Sequence, residues 1–211
     1  MPPSCRWLLA LHSSGDGLGV AVQPLAEPEA EPRLARFDLG RALSGALLDC
    51  VEQVLPAEQW PQLGRLAVAT GPGGFTSTRL TVVMARTLAQ QLQIPLDGVG
   101  SFLLMAPRLA PTGVERFWLC QALARRGTVA GLYGLEPAGA AAAASAVEHL
   151  APRLFPPEEP LPEGVHCAIS HDPEADCLEL LRRSQAAAAA GLEGPWTTVL
   201  PHYPTSPVEG L

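Results

Sequence analysis

The chain has 211 residues, a hydrophobic fraction of 47% and a formal net charge of −7, with an isoelectric point near 5.2. This length and apolar content suffice for one domain or two small lobes with a buried core. The acidic balance argues against unaided nucleic-acid binding, which requires clustered positive charge. Five scattered cysteines without a Cys-x-x-Cys pair indicate reduced thiols. The apolar run at the start is too short for a signal peptide and no run could span a membrane, so we expect a cytoplasmic protein.

Apolar patterning in the first half predicts three consecutive strands, then alternating helices and strands. Short apolar runs bounded by turn residues indicate the strands, and apolar residues at helical spacing indicate the helices. Asp38, Thr76 or Ser77, and Ser101 are placed to cap the three helices. This order favours a mixed sheet with helices packed on it. We predict strands at 7–11, 18–23, 33–37, 65–70 and 97–100, and helices at 39–55, 78–93 and 102–109.

The second half carries weaker patterns and begins after two prolines, Pro107 and Pro111. An alanine-rich run at 139–150 indicates a helix, because alanine has the highest helix propensity. A proline-rich, acidic loop is expected at 152–164. We predict strands at 116–123, 129–135 and 165–170, a long helix at 173–192, and two domains spanning residues 1–110 and 111–211.

The turn Gly71-Pro72-Gly73-Gly74, between a predicted strand and a predicted helix, carries the strongest functional signal. Such a turn directs backbone amides and the positive end of a helix toward one point, a geometry that binds anions. A tight connection that binds nothing produces the same pattern. A Walker phosphate loop is excluded, because the chain contains no lysine. The candidate nucleotide-binding residues are Gly71, Gly73, Gly74 and Thr76.

The letters of this stretch, Gly-Pro-Gly-Gly-Phe-Thr-x-x-Arg, resemble the G-P-G-S-F-T-G-x-R signature of the TsaB (YeaZ) family. Those proteins are the non-catalytic partners of the transferase that forms N6-threonylcarbamoyladenosine at position 37 of certain tRNAs. Gly74 stands where the family has serine, and Ser77 stands where it has glycine. The matching motif residues are Gly71, Pro72, Gly73, Phe75, Thr76 and Arg79.

The resemblance implies an α/β chain with an actin-like fold of two ribonuclease-H-like lobes, the C-terminal one reduced. It also implies a TsaD-like transferase and a TsaE-like ATPase as partners, with tRNA reached only through the complex. The sequence supports no cofactor, and ATP or ADP at a subunit interface stays open. Fainter echoes of the family lie at 124–133 and in the tail at 199–208.

His12 stands where the superfamily's catalytic members carry an aspartate after the first strand. TsaB proteins usually begin L-A-I-D-T, whereas this chain has Leu9-Ala10-Leu11-His12-Ser13. A neutral imidazole cannot replace a carboxylate toward Mg²⁺, which prefers oxygen ligands. Asp16 is nearby in the turn. A hairpin histidine is typical of a surface or capping residue, and a general base is the alternative.

Helices 39–55 and 78–93 carry more apolar residues than the single stripe that packing on a sheet requires. The excess could meet another helix of the same chain or a second protein. In TsaB proteins the equivalent helices pair with the same helices of another subunit, so the resemblance favours a partner interface. The predicted interface residues are Leu43, Leu47, Cys50, Val51, Leu80, Val83, Met84 and Leu88.

No constellation of side chains in the sequence supports catalysis or a metal site. His166-Cys167 and His171-Asp172 fit no zinc framework. His-x-x-x-His, which the catalytic relative of TsaB carries on a helix, is absent, as is a Gly-x-Ser-x-Gly elbow. We therefore predict a non-catalytic scaffold subunit of tRNA threonylcarbamoyladenosine formation that docks the transferase. The alternatives are an ATP-binding or ATP-hydrolysing enzyme of the actin-like superfamily, a protease, and a homodimeric interaction module.

Overall fold

The computed structural model describes residues 6–15, 17–136 and 145–205. Contacts divide these residues into two units, the first comprising 6–101 and 172–202 and the second 102–171 and 203–205. Each unit holds one sheet, so the predicted α/β class is confirmed. The domain limits of 1–110 and 111–211 stay a prediction, and we note that the helix after Asp172 is grouped with the first strands.

The sheet of the first unit has five strands in the order β3-β2-β1-β4-β5. The first three strands are antiparallel neighbours that follow one another in the chain without an intervening helix. The last two run parallel to β1, and along the chain one α-helix lies between β3 and β4 and another between β4 and β5. The strands are β1 Trp7–His12, β2 Leu18–Pro24, β3 Arg33–Phe37, β4 Leu63–Ala69 and β5 Leu96–Val99.

The helices of the described residues are α1 Leu43–Val54, α2 Phe75–Leu92, α3 Ser101–Leu109 and α4 Pro173–Ala189. In the first unit, α1 and α2 cover one face of the sheet, where Leu9 and Leu11 join their side chains in one core. Because successive strand residues point to opposite faces, the alternate positions meet α4. His12, for example, lies beside Asp176 of α4. None of these helices is long and apolar enough to cross a membrane.

Small residues on the second face of this sheet let α4 approach closely. Ala10, Ala21 and Ala67 are fully buried. A Cβ atom at Gly19 would lie under 3.0 Å from the Pro173 backbone and the Cys177 sulfur. The N-terminus of α4 is fixed by Asp172, whose carboxylate accepts from the Ala175 amide at 3.1 Å.

The second unit has a four-stranded sheet in the order β8-β7-β6-β9. Residues of α3 and of the central strands form its core, including Phe102, Phe117 and Tyr133. The Tyr133 hydroxyl donates to Glu148 at 3.1 Å, and burial raises the pKa of this hydroxyl. The strands are β6 Arg116–Leu123, β7 Gly127–Glu136, β8 Ser145–Phe155 and β9 Val165–Ala168.

The predicted helix at 139–150 is wrong where the structure describes it. Residues 145–155 form β8, an edge strand that pairs antiparallel with β7. Pairing with β7 overrides the local helix propensity, and it also turns the start of the predicted loop at 152–164 into strand. The alanine run at 140–144 lies outside the described residues.

The predicted helix caps at Asp38 and at Thr76 or Ser77 are also wrong. A 3-10 helix at Gly40–Ala42 precedes α1, and Asp38 instead accepts from Arg36 at 2.9 Å. Helix α2 begins at Phe75 with Gly74 at its cap, so it starts three residues earlier than predicted. Ser101 is the first residue of α3, and its hydroxyl accepts a hydrogen bond from the Gly71 amide of the glycine turn.

Candidate functional site

The glycine-rich turn connects β4 to α2 and packs against the end of β1. Gly71 has a φ of +100°, a conformation that favours glycine, so the predicted need for glycine is met there. Its amide donates to the Ser101 hydroxyl at 3.1 Å, and the Gly74 amide donates to the Ser14 carbonyl at 2.9 Å. Ser14 and Ser101 share a hydrogen bond between their hydroxyls. Side-chain and backbone oxygens of the chain itself therefore hold this turn.

These hydrogen bonds bear on the candidate nucleotide-binding residues. The amides of Gly71 and Gly74 are engaged within the protein, which reduces the number available to an anion. Gly71 is buried, Gly73 is half-buried, and Gly74 and Thr76 are exposed. Nucleotide binding by these residues stays a prediction, and the tight-connection alternative explains the turn without a ligand.

A cavity of about 420 Å³ borders the beginning of α2. Its walls combine the exposed Thr76 with Arg41 and Ser44 from the region where α1 begins. The cavity therefore brings one cation and hydroxyl groups close to two helix N-termini. The turn residues Gly71 and Gly73 do not line it.

Replacing Gly73 with alanine should destabilise the protein. A Cβ atom there would lie under 3.0 Å from the backbone of Ser14, so the turn or the end of β1 must shift. Overpacking of this kind costs about 1–3 kcal/mol. Urea unfolding should show the loss, whereas Gly45→Ala should be neutral or stabilising, because open space surrounds Gly45 within helix α1. Equal stability of Gly73→Ala and the parent chain would contradict the close approach.

The remaining motif residues lie in the glycine turn and at the start of α2. Pro72 is buried within the turn, whereas Phe75, Thr76 and Arg79 are exposed on the first turns of the helix. The Phe75 side chain is 37% exposed. The motif therefore divides into a buried part within the turn and an exposed part on the first turns of the helix.

His12 lies at the end of β1 and is fully buried, so the prediction of a surface or capping residue is wrong. Its Nε2 atom lies 3.6 Å from Oδ2 of Asp176, which is also fully buried. A general base must reach its substrate, and burial of both side chains denies them that access. In the sequence, Asp176 has no feature that distinguishes it from an ordinary acidic residue of a first helical turn. Asp16 lies outside the described residues. The pair joins β1 to α4.

Five of the eight predicted interface residues are buried in the core of their own unit. They account for much of the apolar excess on the two helices, as the intramolecular alternative expects. Leu80 and Leu88 are half-buried, and Val83 is 52% exposed. The buried residues are Leu43, Leu47, Cys50, Val51 and Met84.

Some apolar side chains on the outer side of both helices are exposed. Leu48 of α1 is 53% exposed, a value close to that of Val83 on α2. These two residues, with the half-buried Leu80 and Leu88, are called here the α1–α2 surface. Leu48 was not among the predicted interface residues. The spacing of Leu47 and Cys50 places both on the buried side of α1, and the same helical spacing places Leu48 on a different side.

The described residues contain no cluster of three or more His, Cys, Asp or Glu side chains that could hold a metal ion. His166 hydrogen bonds to the Pro162 carbonyl at 2.9 Å. Burial raises the pKa of the Cys177 thiol, so this cysteine is not a thiolate at neutral pH.

Comparison with known proteins gives a sequence relative and a family model. The chain is 40% identical over 101 residues to the tRNA threonylcarbamoyladenosine biosynthesis protein TsaB of Bacillus subtilis (strain 168). The match covers 47% of this chain and 43% of that protein, so the chain spans less than half of the relative's length. Residues 38–123 match the model of TsaD, tRNA N6-adenosine threonylcarbamoyltransferase.

Two solved structures share the fold over nearly the whole chain. One is described as an uncharacterized protein with similarity to peptidase YEAZ from Pseudomonas aeruginosa. It is 22% identical with a TM-score of 0.72, and the match covers 95% of this chain and 100% of that one. YeaZ from Pseudomonas aeruginosa is 21% identical with a TM-score of 0.70, covering 94% and 99%. The resemblance to the TsaB (YeaZ) family and the predicted actin-like fold class are both confirmed.

Proposed function

We propose that the chain is a non-catalytic scaffold subunit in the formation of N6-threonylcarbamoyladenosine in tRNA. In this role it docks a TsaD-type transferase through the α1–α2 surface. The observation that carries the proposal is the exposure of Leu48 and Val83 on two helices whose other faces are buried in one core. The similarity to TsaB of Bacillus subtilis supports the assignment to this modification, because that relative is named as a tRNA threonylcarbamoyladenosine biosynthesis protein.

The packing of α1 and α2 suits them to act as a rigid docking platform. Their inner residues join the sheet in one core, and Thr81 of α2 shares a hydrogen bond of 2.8 Å with Ser13 after β1. A preorganised surface loses little entropy on binding, so more of the contact energy remains for the partner. That energy can favour the active conformation of a bound transferase over its other conformations.

The non-catalytic part of the proposal is supported by the state of the residues that an enzyme would need. His12 and Asp176 are fully buried, and two amides of the glycine turn bind oxygens of the chain itself. The net charge of −7 also disfavours direct binding of tRNA, so in this proposal a partner binds the tRNA. A TsaE-type ATPase belongs to the proposed machinery, but we assign it no contact on this chain and we assign the chain no cofactor.

Reconstitution tests the proposal. A TsaD-type transferase, a TsaE-type ATPase and the enzyme that makes threonylcarbamoyl-adenylate are incubated with ATP, threonine, bicarbonate and tRNA, with and without the chain. Modified adenosine is then measured by mass spectrometry. We expect modification to depend on the chain, and equal yields without it would overturn the proposal. Saturable ATP hydrolysis by the chain alone would instead favour the enzyme alternative.

A homodimer formed by the same helices is the competing use of this surface. Light scattering of the chain, alone and with the transferase, separates the two uses. A dimer that persists in the presence of the transferase and excludes it would contradict the scaffold role. A complex in which the transferase replaces or accompanies the second copy would support it.

A further inference from the structure

A groove of about 890 Å³ lies in the first unit, beside α4 and on the sheet face opposite α1 and α2. One wall is formed by α4, and the other by the connection between β2 and β3 at residues 25–32. Leu178 on the helix wall is 42% exposed, and Leu181 is buried next to it. The groove therefore presents apolar surface that the residues described by the structure leave uncovered.

The helix wall of the groove has the form of a regular stripe. Leu178, Leu181, Gln185 and Ala189 recur at spacings of three or four residues, so they share one side of α4. The stripe is about 17 Å long at 1.5 Å per residue. Apart from Gln185, its second half consists of alanines, and another helix can approach such small side chains to the usual interaxial distance of about 8–10 Å.

The second wall is preformed by two glutamines. The Gln23 side chain donates to the carbonyls of Pro28 and Ala30 at 2.8 and 2.6 Å. Gln185 of α4 donates to the Pro24 carbonyl at 3.2 Å, which connects the two walls. Both amides are thus occupied in holding the connection and are not available to orient a small polar ligand.

Carboxylates give the groove its charge. Glu29 and Glu31 lie on the second wall and are exposed, and neither forms an ion pair within the part of the chain that the structure describes. Arg182 lies on the opposite wall, but its guanidinium contacts Glu179 at 2.7 Å. The groove therefore has an apolar floor and a negative edge.

We propose that this groove docks an amphipathic helix of a partner protein, with leucines on one face and lysines or arginines beside them. The leucines would cover Leu178 and the alanines of α4, and the cations would meet Glu29 and Glu31. A second copy of the chain fits less well, because its own acidic groove edge and its net charge of −7 would oppose association. This inference is independent of the proposed function, since it uses a different face of the first unit.

A synthetic helix of about 18 residues tests the proposal. The peptide contains leucine on one face and lysine on the other, carries a fluorescent label, and is titrated with the full chain while anisotropy is recorded. Leu178→Arg and Ala189→Trp, which charge and fill the groove, should each weaken binding about tenfold, equivalent to about 1.4 kcal/mol. The double change Glu29→Gln and Glu31→Gln should weaken binding and reduce its dependence on salt.

Three controls make the result specific. Glu58→Gln removes an exposed carboxylate that is not part of the groove and should leave binding unchanged. A scrambled peptide of the same composition and a leucine–glutamate peptide should both bind more weakly. Val83→Arg should leave peptide binding intact, so failure of the scaffold role and failure of this inference are distinguishable.

The proposal is overturned if the groove variants bind the leucine–lysine peptide as the parent chain does. It is also overturned if the scrambled or acidic peptide binds equally well. Self-association of the chain in light scattering that Leu178→Arg abolishes would assign the groove to a second copy instead. Circular dichroism of each variant confirms that the fold is retained.

Discussion

Replacing Val83 with arginine should weaken docking of a TsaD-type transferase about 100-fold, equivalent to about 2.7 kcal/mol. Val83 is 52% exposed on α2, so an arginine fits without disturbing the core of the unit. In a docked complex the same charge would be desolvated in an apolar contact, which is where single substitutions have large effects. Leu48→Arg on α1 should act in the same way, and affinity can be measured by titration calorimetry with the purified transferase.

The matched control for the docking variants is Leu150→Arg. Leu150 of β8 is 53% exposed and lies in the second unit, so the same change there should leave docking unaffected. All three variants should unfold within about 0.5 kcal/mol of the parent chain, as is usual for surface changes. Met84→Arg is unsuitable for this test, because Met84 is only 9% exposed and a charge there would disrupt the core. Unchanged docking by both Val83→Arg and Leu48→Arg would contradict the proposed interface.

Replacing Asp97 with asparagine should cost about 3–5 kcal/mol of unfolding free energy. Asp97 of β5 receives two hydrogen bonds of 2.7 Å from Arg65 of β4, and it also accepts from the Ser184 hydroxyl of α4. Arg65 is only 4% exposed, and its third contact is a donation to the Leu192 carbonyl at 3.0 Å. Without the carboxylate, the buried guanidinium of Arg65 has no counter-charge. The contacts that Asp97 makes between β4, β5 and α4 are weakened as well.

Urea unfolding measures this cost. If the slope of unfolding free energy against urea concentration is the same for both proteins, the denatured state is unchanged. The comparison is Asp38→Asn, which breaks the exposed pair with Arg36 and should leave the midpoint within experimental error. An Asp97→Asn midpoint equal to that of the parent chain would show that the buried Arg65–Asp97 pair does not contribute the expected stability.

Local patterns predicted most of the strands and helices correctly. The predicted bounds of β3 and β6 agree with the structure, because short apolar runs between turn residues are a strong local signal. Helix α4 was expected at its proline, and the preceding Asp172 is the cap that such a sequence favours. The glycine turn was also recognised as a strand-to-helix connection, although its helix begins three residues earlier than expected.

The candidate site was only partly predictable. The motif located the glycine turn. It did not show that oxygens of Ser14 and Ser101 accept hydrogen bonds from the amides of that turn. Helical periodicity identified the apolar residues of α1 and α2 without separating buried Leu47 from exposed Leu48 as the interface candidate. Which apolar residue remains exposed depends on how far the neighbouring helix and the sheet extend over it.

The amino-acid sequence by itself determined the strand and helix pattern, the glycine turn, the acidic charge and the resemblance to TsaB, since each is encoded by neighbouring residues. The tertiary structure alone decided that residues 145–155 form a strand, that His12 is buried beside Asp176, and that α4 returns to the first sheet. These features depend on contacts between residues far apart in the chain. Their energies can exceed local propensities, so no short window of sequence reveals them.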